Sequence, residues 1–451
     1  MNQSLPAVAA WLTHADQSIL LQKQGESLHF TDIADEDPYP WIQIDAAITY
    51  QTIEGFGFAL TGGSAYLLNH LSAATKHSLL KEIFSNGNDG IGVSYLRVSI
   101  GASDLSATSF SYDDVPANQT DPELIHFNLT AGDCDLVPVL REIIAINPNI
   151  KIIATPWSAP PWMKTSGGFI GGKLSPKYYQ AYANYFVKYL RAMKDNGIFI
   201  HAITPQNEPM NHENEPSMVM EAIEQADFIK NYLGPTLHDA GLRDIEIFCW
   251  DHNCDLKEYP LTVLSDPETR KYVTGIAWHL YGGDVSAIFD VHQVYPEMKM
   301  AFTEQWVGLN GKFADDLAWH IKNVMVGTIR SWSKIVLEWN LASDLSCGPH
   351  TPKGASSCVG ALTIDVNHEQ IVRNVSYYVI AHAAKFVSPG SLRIFSTQVD
   401  SLPNVAFKTP SGEIVLLVLN ENQQRQSFTI KFGRKLINAT LEGGSVGTYT
   451  W

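Results

Sequence analysis

Two carboxylates stand where apolar runs give out, and they are the residues of this chain best placed to do chemistry. "ITPQNEPM" (203–210) holds Glu208 between Asn207 and Pro209, and "FTEQWVG" (302–308) holds Glu304. Pro209 bars residue 208 from helical backbone and removes the next backbone donor, so Glu208 is held at a strand tip where the chain leaves its sheet. Taken singly, either glutamate reads as half of a rim ion pair. As a pair across a pocket with aromatic walls, they have what glycoside hydrolysis requires. One protonates the leaving oxygen, and the other attacks the anomeric carbon or activates a water.

The neighbouring tips carry side chains of the same kind. Arg97 lies in "SYLRVSI" and Asp104 follows it. Trp157 closes "IKIIATPW"; Trp250, Asp251 and His252 close the fifth run; His279 and Tyr281 close the sixth; Glu338, Trp339 and Asn340 close the eighth. Arg97 reads either as the buried structural partner of a carboxylate or as the cation that keeps Glu304 ionised. His279 is either a satisfied core histidine or part of the site. Trp157 and Trp339 are either core filler or sugar platforms. Strand alternation sends Glu338 and Trp339 to opposite faces, and Trp339 is the one expected to point inward. No cysteine, histidine and carboxylate set has metal-ligand spacing, and "CWDHNC" (249–254) reads as a strand with neighbours on opposite faces. "GFGFALTGG" does not match the dinucleotide-loop spacing. The expectation is therefore no metal and no cofactor.

These tips need a scaffold that gathers them. Eight strand-like runs begin near residues 53, 92, 150, 198, 245, 274, 299 and 334, with amphipathic helical stretches between them. That repeat argues for a (β/α)8 TIM barrel over residues 51–390, rather than an open doubly wound sheet. Such a barrel displays its C-terminal strand ends on one rim, and strands four and seven are expected to face each other across the mouth. In 175–197, Ser175 is the expected N-cap, Pro176 suits the first turn and Gly197 the C-terminal end. Residues 391–451 alternate apolar and polar positions with a hairpin turn at "TPSGE", and residues 1–50 also look strand-like. The two termini are expected to build one antiparallel β-sandwich beside the barrel.

Composition narrows the partners. The chain has 451 residues, 45% hydrophobic and 17% charged, with a formal net charge of −16. That acidic balance repels nucleic acid and anionic membranes, and no apolar run is long enough to span a bilayer. The 11 Trp and 18 Tyr suit sugar stacking as well as core filling. The five cysteines form no dense framework, although Cys347 and Cys358 are close enough in sequence to pair across a loop. The first residues lack a basic start followed by an apolar core, so the expected location is cytoplasmic, or secreted or periplasmic if a leader has been removed.

The motifs taken together resemble glycoside hydrolase family 30, the glucosylceramidase-like retaining β-glycosidases. "TPQNEP", "FTEQWVG", "SYLRVSIGASDLS" (94–106), "ATPWSAPPWMKTSGG" (154–168), "GIAWHLYGG" (275–283), "IVLEWNLA" (335–342) and "GPHTPKGASSCVGALTI" (348–364) carry the likeness, in order and across most of the chain. The resemblance implies Glu208 as general acid/base and Glu304 as nucleophile. It implies Asn207 on the sugar 2-hydroxyl, and Asp104, Trp157 and Trp339 around the innermost ring. His279 and Tyr281 would support the nucleophile and the pocket wall, with Arg97 counted among the substrate-binding set. Glu208 would then start protonated, with a pKa above that of a solvated Glu, while Glu304 stays ionised. Gln206 replaces the acidic residue found there in mammalian glucosylceramidases, and the loop at 348–361 resembles bacterial β-1,6-glucanases more than lipid hydrolases. A β-1,6-glucanase or β-glucosidase acting on a β-glucan oligosaccharide or β-glucoside is favoured. Glucosylceramidase-like, β-xylosidase or β-fucosidase activity is the alternative, and a non-catalytic carbohydrate-binding barrel is the rival of another class. Oligomeric state has no signature in the sequence.

Overall fold

A computed structural model describes residues 7–32, 38–87, 90–132 and 134–451. The first six residues of the segment weighed for a leader lie outside the described residues. Eight parallel strands close a barrel: β1 (Gly55–Ala59), β2 (Tyr95–Ser99), β3 (Lys151–Thr155), β4 (Ala202–Ile203), β5 (Glu246–Asn253), β6 (Gly275–His279), β7 (Lys299–Glu304) and β8 (Ser333–Asn340). β8 pairs with β1 to complete the ring.

Alternation along the strands builds the barrel interior in layers. Tyr95, Ile153, Ala202, Phe248, Ala277, Ala301, Ile335 and Leu337 form a separate buried plug. Two residues further along, most strands bring the next inward side chain: Arg97, Thr155, Thr204, His279, Thr303 and Trp339. The apolar plug thus supports a polar layer, and that layer carries the mouth. Outward residues such as Leu96, Val98, Ile152 and Ile276 join the core shared with the helices.

The helix after β3 shows where local expectation needs adjusting. Tyr179–Asp195 buries Tyr179, Tyr182, Tyr185, Phe186 and Tyr189 on one face. Ser175, expected to cap it, makes no side-chain cap bond, because Pro176–Tyr178 first forms a 3-10 turn. Gly197, at φ +79°, terminates the segment as expected, since its left-handed backbone suits glycine.

Both chain ends contribute to one ten-stranded sheet that folds into the side sandwich. Ala9–Thr13 pairs with Val446–Thr450, and Trp41–Thr52 lies between Leu392–Ser396 and Gln426–Phe432. The pairing with Gln426–Phe432 is parallel, an exception to the antiparallel pattern. Ile42, Ile44, Leu416, Val418, Phe428, Ile430 and Tyr449 fill its own core. All five cysteines are free thiols, so Cys347 and Cys358 do not pair. No helix among the described residues is long and apolar enough to cross a membrane.

Candidate active site

A cleft of about 750 Å³ opens at the C-terminal strand ends, lined by Asp104, Trp157, Asn207, Glu208, Tyr281, Glu304 and Trp339 among others. Strands β4 and β7 are three places apart in the ring rather than diametrically opposed. The two glutamates nevertheless converge: an oxygen of Glu208, an oxygen of Glu304 and a ring nitrogen of His279 lie within 4.8 Å of one another. Oxygens this close suit a retaining pair, whose carboxyl groups stand roughly 5–5.5 Å apart, rather than an inverting pair, which needs roughly 6.5–9.5 Å to admit water.

Local backbone explains how Glu208 reaches the mouth. The strand ends at Ile203, just before Pro205, which has no ladder donor, and Glu208 follows five residues on at φ +43°, an uncommon conformation for a residue with a Cβ. Its N–H donates to the carbonyl of Asp251 at 2.9 Å, and Asn207 N–H donates to that of Pro156 at 2.8 Å, tying β4 to both neighbours. Asn211 Nδ2 donates to Glu208 Oε2 at 2.8 Å.

Glu304 is held by two donors. Arg97 Nη1 forms a charged hydrogen bond to Oε2, and Tyr281 donates its hydroxyl to Oε1 at 2.8 Å. The other terminal nitrogen of Arg97 donates to Asn207 Oδ1 at 2.7 Å and to Asp251 Oδ2 at 2.8 Å. With its oxygen engaged, the Asn207 amide keeps its NH2 for a ligand. Arg97 and His279, expected among the substrate-binding residues, do not line the cleft. Both are fully buried beneath its floor, where they grip carboxylates.

Trp157 and Trp339 stack on each other, with centroids 5.3 Å apart, and lie over Arg97. They are both packed core and pocket wall, so the two readings of these tryptophans coincide. Glu338 turns outward to His320 Nδ1 at 2.7 Å, leaving Trp339 as the inward residue of β8. Asp104 reaches the wall from the loop after β2. Among the described residues its Oδ1 is buried without a partner, and burial together with Glu304 and Glu208 pushes its pKa up to about 7.

Asp251, placed at the fifth strand tip by the sequence but given no role there, organises the floor. It accepts hydrogen bonds from Arg97, from Thr204 at 2.8 Å and from Thr303 at 2.7 Å, and it lies 3.1 Å from His279 Nε2. Strand alternation conceals it, because Trp250 and Asp251 both have left-handed backbone (φ +74° and +67°) and the β5–β6 register shifts beside them. The clustering of Asp251 and His252 at a strand tip was the available signal.

The electrostatics invert one expectation. Burial acts to raise Glu208, but hydrogen bonding and charge from His279, with His252 and Asn211, bring its carboxyl down to about 2. Burial raises Glu304 above its ordinary value, against the opposing pull of His279 and Arg97. His279 itself rises to about 9: burial opposes this, and Glu304, Asp251 and Glu208 outweigh it. In the resting site the proton therefore sits on His279. Its Nδ1 is 3.4 Å from Glu208 Oε1, and its Nε2 faces Asp251. The Glu208, His279 and Glu304 atoms could approach a metal ion, but Arg97, Tyr281, Asn211 and Asp251 already engage these groups. The Arg97 charge also opposes a cation there.

The Arg97 contacts give a stability prediction. Arg97→Met leaves Asp251 and Glu304 buried without their cation, and should cost about 3–5 kcal/mol. Urea unfolding of the variant measures this, and a loss below 1 kcal/mol would contradict it.

Comparison with known proteins fits this architecture. Residues 53–387 match the "Glycosyl hydrolase family 30 TIM-barrel domain" and residues 390–449 the "Glycosyl hydrolase family 30 beta sandwich domain". The chain is 34% identical over 414 residues to Endo-1,6-beta-D-glucanase neg1 of Aspergillus fumigatus, covering 85% of this chain and 82% of that one. It is 28% identical to Lysosomal acid glucosylceramidase of Mus musculus, covering 89% of this chain and 81% of the other. The solved structure titled "The endo-beta1,6-glucanase BT3312" superposes with a TM-score of 0.89 at 35% identity, covering 99% of each chain. With both domains matched in order around a convergent glutamate pair, the chain belongs to glycosyl hydrolase family 30 and is a glycoside hydrolase.

Proposed function

We propose that this enzyme hydrolyses β-1,6-linked glucan with retention of configuration, with Glu208 as acid/base and Glu304 as nucleophile. The observation that carries the reading is the approach of the two carboxylates to within 4.8 Å beside a tryptophan-lined wall. In the first step Glu304, aligned by Arg97 and Tyr281, attacks the anomeric carbon. Glu208 protonates the departing oxygen with a proton drawn from His279 across their 3.4 Å contact. The glycosyl ester so formed neutralises Glu304. Loss of that neighbouring charge favours ionised Glu208, which then takes a proton from the incoming water. Asn207 offers its NH2 to the 2-hydroxyl, and the unpartnered oxygen of Asp104 offers a second contact to the ring hydroxyls.

The glucan assignment rests on relatives named endo-1,6-beta-D-glucanases at 34–35% identity and on a cleft that continues past Glu208 to Asn211, Asn214 and Lys353. Product profiles on β-1,6-glucan, glucosylceramide and aryl β-glucosides, measured side by side, test it. Short oligosaccharides appearing early from β-1,6-glucan are the expected result. Faster turnover of glucosylceramide would overturn the substrate but keep the mechanism.

A pH prediction follows from the shared proton. Activity needs one proton on the His279–Glu208 pair and none on Glu304. The kcat/KM profile should therefore fall on the alkaline side near pH 9, where His279 loses its proton, and on the acid side above the ordinary carboxylate value, where raised Glu304 gains one. In His279→Gln the alkaline limb should move down by more than about one pH unit, since Glu208 must then hold the proton itself. An unmoved limb would show that His279 is only a spacer.

A further inference from the structure

At the opposite end of the barrel, where it meets the sandwich, two arginines face one cavity of about 350 Å³. Arg330 ends the helix Thr328–Arg330 just before β8, and Arg393 lies in the sandwich strand Leu392–Ser396. Tyr50, Ser396, Thr397 and Gln398 complete much of the wall.

Among the described residues, neither guanidinium has a carboxylate partner. Arg330 donates through Nε to the Asn404 carbonyl at 2.7 Å and through Nη2 to Ser396 Oγ at 2.9 Å, with longer contacts to Ser396 O and Asn404 Oδ1. Arg393 donates through Nε to Gln51 Oε1 at 3.0 Å and weakly through Nη1 to the Arg330 carbonyl at 3.4 Å. Its guanidinium carbon lies 3.8 Å from the centre of the Tyr50 ring. Among the described residues, Arg330 Nη1 and Arg393 Nη2 donate to no protein atom, and neither is sealed from solvent. Arg393 is only 6% exposed. Burial lowers both arginines to about 10, and for Arg393 the Arg330 charge adds to the effect, so both stay cationic at neutral pH. A buried arginine beside a part-buried one is an unusual use of positive charge in a chain of net charge −16. Removing such groups from water is costly unless a counter-charge accompanies them.

We propose that this cavity binds a tetrahedral oxyanion of the phosphate or sulfate class, held between Arg330 and Arg393. Ser396, whose hydroxyl oxygen accepts from Arg330, keeps its own hydrogen for the anion. Planar guanidinium forks suit such oxygens. The volume exceeds that of a lone phosphate, so a phosphoryl group on a small organic molecule also fits. The site is independent of the catalytic cleft, and its test does not use activity.

The test is the thermal midpoint of the whole chain in increasing inorganic phosphate, against sodium chloride at matched ionic strength. The expected result is a saturable rise of about 2–4 °C that chloride does not reproduce. Arg330→Gln and Arg393→Gln should each abolish the phosphate increment, whereas Arg393→Lys should keep part of it. A purely structural clamp would lower the starting midpoint and leave the increment intact. Glucose 6-phosphate serves as a second arm, and a larger rise with it than with phosphate would identify an organic phosphoryl ligand. If the Gln variants fail to fold, wild-type crystals soaked in tungstate decide the matter by an anomalous peak between the two guanidiniums. Absence of that peak, or an equal effect of chloride, overturns the proposal.

Discussion

Glu304→Gln is expected to lower kcat on any β-glucoside by about 10⁵-fold or more, the scale seen when a nucleophile is removed from a site that works as a unit. The amide is nearly isosteric but cannot form the glycosyl ester. It also changes the field beneath it: Arg97 keeps Asp251 but loses one of its two carboxylates, and His279 loses the largest influence holding its proton. The variant should therefore lose activity even on substrates with excellent leaving groups, because a better leaving group does not replace the missing carboxylate that forms the ester. Steady-state rates on dinitrophenyl β-glucoside measure this directly, and a loss under 100-fold would point to another nucleophile.

Glu208→Gln is expected to separate the two chemical steps. Turnover of β-1,6-glucan, whose leaving group needs a proton, should fall by about 10²–10⁴-fold, the usual range for a general acid. Dinitrophenolate needs no proton, so its release should continue as a burst equal to the enzyme concentration, followed by slow hydrolysis of the trapped ester. Added azide, which attacks without general-base help, should accelerate that second phase. The variant also removes the charge that His279 and Asn211 address, leaving Asp251 and Glu304 as the carboxylates beside His279. A uniform loss across both substrate types, with no burst, would contradict the acid/base role.

Much of the architecture could be read before the fold was seen, and the reasons are physical. Each barrel strand is an apolar run ended by a polar cluster, and a closed ring of eight puts those clusters on one rim. Even β4, only two residues long in the sheet, is visible in the apolar run "IFIHAI", but it ends at Ile203 before Pro205 and not at Pro209, so Glu208 reaches the mouth on the loop beyond the strand. What escaped depends on departures from regular geometry. Asp251 enters the floor through irregular backbone at Trp250 and Asp251, and a period of two cannot register that. The separation of β4 and β7 was misjudged because ring position alone omits the reach and direction of the side chains. The proton's resting place was missed for another reason. It depends on contacts among β4, β5, β6 and β7, where His279 outcompetes Glu208, and no single segment encodes that balance.

The most direct test is mass-spectrometric mapping after incubation with 2,4-dinitrophenyl 2-deoxy-2-fluoro-β-glucoside, whose fluorine slows breakdown of the covalent intermediate. The result expected is a single fluoroglucosyl adduct, one per chain, on Glu304 within "FTEQWVG". An adduct on Glu208 or another residue, or inactivation without any adduct, would contradict the assignment of nucleophile and acid/base.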